Sequence, residues 1–143
     1  MLLLDIFCDW FSGDWSNRHQ AYSNPKAAAY VLAKHERTFE NQFHCSYFYH
    51  KNKTPYRDMY LDLHCHDSDI ILRNGPATMT FQVVHGSFVC DTSHTISDRK
   101  YNFRAALTQT KYLLNDQCYD HRGSLIRGLP DKEWYEFTKL PSV

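Results

Sequence analysis

From about residue 27 to the C-terminus, apolar side chains recur at every second position in run after run. That period places alternate residues on opposite faces of an extended strand. Within Ala27 to Glu36, Tyr30 and Leu32 face one way. Phe43, Cys45, Tyr47 and Tyr49 share one face of the next segment, and Arg57, Met59, Leu61, Leu63 and Cys65 share one face of the third. The pattern continues through Ser68 to Arg73, Met79 to Val83, Phe88 and Cys90, Tyr101 to Leu107, Lys111 to Asp116, Leu125 to Leu129, and Trp134 to Leu140. Turns separate the runs at Asn74-Gly75-Pro76 and at His85-Gly86. Only the start differs. Leu3, Leu4, Phe7, Trp10 and Phe11 follow a helical period that stops at Ser12-Gly13, and Trp15 to Lys26 is expected to be an irregular connection with one helical turn around Asn17 to Tyr22.

About ten short antiparallel strands must dispose of their edges, and closing the sheet on itself removes them. The expected fold is therefore mainly β: a calycin or lipocalin-like antiparallel barrel of about ten strands behind an N-terminal α-helix, in a single domain spanning 1–143. Barrels of this size enclose one small ligand. The aromatic set suits that purpose, because ten tyrosines accompany nine phenylalanines and three tryptophans, and each tyrosine adds a hydroxyl to a flat apolar face.

Sixteen basic and sixteen acidic residues leave the chain formally neutral, so it has no phosphate-neutralising excess and nucleic acid is not an expected partner. The five cysteines, Cys8, Cys45, Cys65, Cys90 and Cys118, form no C-x-x-C pair and are odd in number. That pattern indicates free thiols and a reducing, cytoplasmic setting. Asp5 and Asp9 interrupt the apolar start, so neither a signal peptide nor membrane insertion is expected.

Arg57 stands at the end of an apolar row and needs an anion, either a ligand carboxylate or an internal Asp or Glu. His64 and His66 share a strand face at a separation that metals accept, but no third ligand can be named and no metal site is expected. Nucleotide-binding and hydrolase motifs are absent. Asn115 to Gly123 concentrates carboxylates beside a turn. There Asp116 and Asp120 either accept hydrogen bonds from a ligand or serve the turn itself.

Three segments in order resemble the T-type phycobiliprotein lyases, the CpcT/CpeT family: Phe11 to Ala21 with Gly13, Trp15, Ser16-Asn17 and Gln20-Ala21, followed by Pro25; Pro55-Tyr56-Arg57; and Asp116 to Asp120 followed by Gly123. The chain is shorter than cellular members between Phe88 and Tyr101, as compact members carried by cyanophages are, and Leu125-Ile126-Arg127-Gly128 stands where an aromatic-Gly pair is usual. The resemblance implies a ten-stranded barrel that binds an open-chain tetrapyrrole, phycoerythrobilin or phycocyanobilin, and assists its thioether attachment to a cysteine of a phycobiliprotein β subunit. It also implies pairing as a homodimer. On this resemblance Asn17, Tyr47, Tyr56, Arg57, Tyr60, Met79, Asp116 and Tyr119 contact the bilin, and Asp116 and Asp120 carry the chemistry. The alternatives are a bilin carrier without transfer activity and a metal-binding barrel that uses His64 and His66.

Overall fold

The computed structural model describes residues 2–26 and 28–142; Ala27, where the alternating pattern begins, lies outside the described residues, as do Met1 and Val143. Helix α1 (Leu3–Phe11) leads into a short strand β1 (Gly13–Ser16) and a helix α2 (Arg18–Ser23). The rest is strand after strand: β2 (Val31–Phe39), β3 (Gln42–Tyr49), β4 (Pro55–His66), β5 (Asp69–Asn74), β6 (Ala77–Val84), β7 (Ser87–Ile96), β8 (Arg99–Leu107), β9 (Lys111–Tyr119), β10 (Leu125–Arg127) and β11 (Tyr135–Lys139). β1 to β9 pair in chain order, and β11 inserts between β9 and β1, so ten antiparallel strands close into a ring. β10 stands outside the ring, paired to the far end of β9. The expected lipocalin-like barrel is the architecture observed.

α1 closes one end of this barrel. Its apolar stripe sends Phe7 against Phe81 and Phe88, and Phe11 against His35, Phe43 and Tyr112. A helix leaves its last carbonyls without intrahelical partners. Here the Phe11 carbonyl accepts from Trp15 Nε1 (3.1 Å) and from His35 Nδ1 (2.9 Å), which ties the plug to β1 and β2. Because a carbonyl can only accept, Nδ1 carries the proton and Nε2 accepts from the Tyr47 hydroxyl at 2.8 Å. The Tyr112 hydroxyl then donates to the Tyr47 oxygen at 3.3 Å. Burial drives the His35 imidazole down from 6.5 to about 3, so it is neutral.

Local pattern fails in three places. β1 lies where an irregular connection is expected, because four residues are too few to display a period; its pairing with β2 and β11 makes it a strand. In β2 the inward face carries Val31, Ala33 and His35, not Tyr30 and Leu32, since the register sets Ala33 opposite Tyr47 and His35 opposite Cys45. The larger Tyr30 instead stacks outside on His50, with ring centroids 4.2 Å apart. β9 runs on to Tyr119 and β10 ends at Arg127, because β9 pairs with β11 through its first half and with β10 through its last residues. All five cysteines are free; Cys65 alone is exposed.

Candidate functional site

With α1 filling one end, the opposite end of the barrel stays hollow. A cavity of about 300 Å³ opens there, walled by β3 (Tyr47, Tyr49), β4 (Tyr56, Arg57), β9 (Leu114, Asp116), the end of β10 (Arg127), Gly128 just after it and the start of β11 (Tyr135). Alternation accounts for the choice of side chains. Arg57 continues the inward row Met59, Leu61, Leu63, and Asp116 continues the row Tyr112, Leu114. The two meet across the lumen, where the Arg57 guanidinium forms an ion pair with the Asp116 carboxylate. Their side chains are only 25% and 15% exposed, so the attraction acts in a poorly solvated space. Of the partners open to Arg57, the internal carboxylate is the one observed. Burial, and next the like charge of Arg127, pull the Arg57 guanidinium below its ordinary value. Burial pushes the Tyr47 and Tyr56 phenols above theirs, so both present neutral hydroxyls.

The wall on the β9 side depends on residues that carry no charge. Asn115 and Gln117, both fully buried, face outward on either side of the inward Asp116. Asn115 Nδ2 donates to the carbonyls of Glu133 (2.8 Å) and Pro130 (3.1 Å), and Gln117 Nε2 to the Leu129 carbonyl (2.8 Å) and Asp131 Oδ1 (3.0 Å). Together they strap the 129–134 segment to the outer face, which fixes Arg127 before it and Tyr135 after it. Gly128 completes the arrangement. It has φ of +100° and lies so close to β9 that any Cβ would collide with the Asp116 carbonyl. Composition conceals these roles: among the carboxylates of 115–123 the two amides look like turn residues, and only their alternation with Leu114 and Asp116 marks them as facing outward.

Tyr47, Tyr56, Arg57 and Asp116 are therefore brought together, whereas the other candidates lie elsewhere. Asn17 is buried beside β2, where it accepts from the Val31 amide (2.7 Å) and donates to the Ala29 carbonyl (2.7 Å). Its neighbour Gln20 accepts from the Glu136 amide at 3.0 Å and donates to the Trp134 carbonyl. These two residues clasp α2 to β2 and β11 and so help to seat Tyr135. Tyr60 is outside the barrel, stacked on His44, and Met79 is packed in the core. Tyr119 and Asp120 border a second, shallower hollow of about 590 Å³ between the β7–β8 and β9–β10 turns. The Asp120 carboxylate accepts from the amides of Ser124 (3.0 Å) and Arg122 (2.9 Å), bonds that hold it below the usual carboxylate range. His64 and His66 have no metal-ligating cluster around them among the described residues. No helix is long and apolar enough to cross a membrane among those residues.

The barrel, plug and open mouth have a close counterpart in the T-type phycobiliprotein lyase CpeT from Prochlorococcus phage P-HM1. The two share 27% of their residues over 96% of this chain and 98% of that one, with a TM-score of 0.84. The chain has the fold of a T-type phycobiliprotein lyase. The family resemblance carried by the three segments is thus matched in three dimensions, and over nearly the full length of a phage protein. The CRL protein of Arabidopsis is also similar in fold, at 12% identity over 96% of this chain and 97% of that one, with a TM-score of 0.73; that likeness is one of fold alone. No protein-family model and no curated protein sequence matches the chain.

Proposed function

We propose that this chain is a bilin lyase: it holds an open-chain tetrapyrrole in the mouth of its barrel and assists thioether attachment to a cysteine of a phycobiliprotein β subunit. The observation that carries the reading is the poorly solvated Arg57–Asp116 pair inside a cavity ringed by tyrosines, in a chain with the fold of a T-type lyase. A bilin is flat and apolar on its faces, with pyrrole N–H donors along one edge and two propionates on the other. Tyr47, Tyr49, Tyr56 and Tyr135 supply ring faces and neutral hydroxyls. Asp116, neutralised at close range by Arg57, accepts from the pyrrole nitrogens. The cavity lies at the lower end of the roughly 300–1,000 Å³ range of small-molecule sites. It therefore encloses part of the pigment, and attachment requires that ring A be the part left at the mouth.

In the reaction, the acceptor thiolate adds to the ethylidene carbon of ring A. A C–S bond forms, the exocyclic double bond is lost, and the pigment takes up the proton, so nothing leaves. The nucleophile belongs to the β subunit, and burial pushes the thiols of Cys45 and Cys90 up, Cys90 to about 11, away from any nucleophilic role. The lyase contributes placement and a carboxylate acceptor that orients the pyrrole N–H edge.

The test is titration with phycoerythrobilin and with phycocyanobilin, followed by an acceptor β subunit, denaturing electrophoresis and zinc-enhanced fluorescence. Fluorescence travelling with the acceptor is the expected result. A colour change on binding with no covalent product would make the chain a carrier instead. Failure of either pigment to bind would end the proposal.

A further inference from the structure

Three charged side chains border the cavity, Arg57, Asp116 and Arg127, and only two of them pair. The Asp116 carboxylate is occupied by Arg57. Among the described residues the Arg127 guanidinium has no carboxylate partner; it lies over the Tyr101 ring, 6.0 Å from the ring centre. Its placement does not depend on the side chain alone. β10 pairs Arg127 with Cys118 across a register shift, Gly128 presses against the Asp116 carbonyl, and Gln117 grips the Leu129 carbonyl just beyond. The backbone on both sides of Arg127 is thus anchored, and an unpaired cation is held at the rim of a site whose other charges cancel.

We infer that Arg127 is the carboxylate anchor of this site, and that the cavity selects ligands bearing a free carboxylate at the rim. The inference rests on the bilin reading and sharpens it. Arg57 serves the pigment indirectly, by neutralising Asp116 beside the pyrrole nitrogens, and the propionates are met by Arg127. The geometry of the ligand agrees with this division, because the propionates and the pyrrole N–H groups lie on opposite edges of a bilin, whereas Arg57 and Asp116 touch. A planar guanidinium forms two parallel hydrogen bonds to one carboxylate, which fixes the pigment's orientation as well as its affinity.

The test measures binding of phycoerythrobilin and of its dimethyl ester to wild-type protein, Arg127→Ala and Arg127→Lys by fluorescence quenching. Arg127 is exposed, so neither variant disturbs the core. For the free acid, Arg127→Ala should bind about tenfold more weakly than wild type, with Arg127→Lys between them. For the ester, all three should bind alike, and the absorbance maximum of the bound free acid should not move, because Asp116 is untouched. Equal affinities for the free acid would overturn the inference, as would equal losses for acid and ester, which would mean that Arg127 packs on the rings. If wild-type protein binds neither pigment, the bilin reading itself falls and the inference with it.

Discussion

His35 offers a sharp test of how the barrel is plugged. The fold holds it neutral, with a value of about 3 against 6.5 for an ordinary histidine, while the unfolded chain takes up a proton below 6.5. Stability from this residue is therefore complete above pH 6.5 and is lost as pH falls toward 3. The loss is about 1.4 kcal/mol per pH unit, reaching about 5 kcal/mol at the low end and about 3 kcal/mol by pH 4.5. His35→Gln removes the titration. At pH 7.5 the variant should be less stable by about 2–4 kcal/mol, since it loses the stack on Phe11 and disturbs the bonds to the Phe11 carbonyl and the Tyr47 hydroxyl. Urea denaturation of both proteins at fixed ionic strength, at each pH unit from 7.5 to 4.5, should show the gap between them narrowing by about 3 kcal/mol. Every other ionisable group is common to both proteins and cancels in the difference. Parallel stability curves would refute the argument, because they would mean that His35 is not held neutral by its surroundings.

Asp116→Asn should shift the absorbance of bound bilin while leaving the affinity within a few fold; identical spectra would remove Asp116 from the pyrrole nitrogens. Arg57→Ala should cost about 2 kcal/mol of stability, as expected when a poorly solvated carboxylate loses its cation, and urea denaturation will read it. Gly128→Ala should cost about 3 kcal/mol of stability, because a methyl cannot fit against the Asp116 carbonyl; thermal unfolding measures the loss. Asn115→Ala, which frees the carbonyls of Pro130 and Glu133, should raise amide hydrogen exchange across 129–134 and lower bilin affinity together. Protection equal to wild type would show that the strap is held by other bonds. Cys65→Ser should transfer bilin as wild type does, since the nucleophile is the partner's.

Much of the site can be read along single strands. Alternation alone places Arg57 on the inward row of β4 and Tyr47 on that of β3, because side-chain direction in a strand is set by covalent geometry. With the turn residues and the helical period of the first residues it points to a barrel behind one N-terminal helix; that the helix plugs the barrel shows only in the packing of Phe7 and Phe11. What it cannot supply is the other end of each long-range contact. Asp116 as the partner of Arg57, Asn17 as a clasp and not a wall of the cavity, and Asn115 and Gln117 as the strap behind Asp116 all depend on the register between strands far apart in the chain. So does the inward turn of Ala33 and His35 in place of Tyr30 and Leu32, where the neighbours of a small residue outweighed the size of a large one. Sequence determines which side chains of a strand share a face. Closure of the sheet decides which face turns inward and what it meets there, since a ring must satisfy every strand's pairing and packing at once.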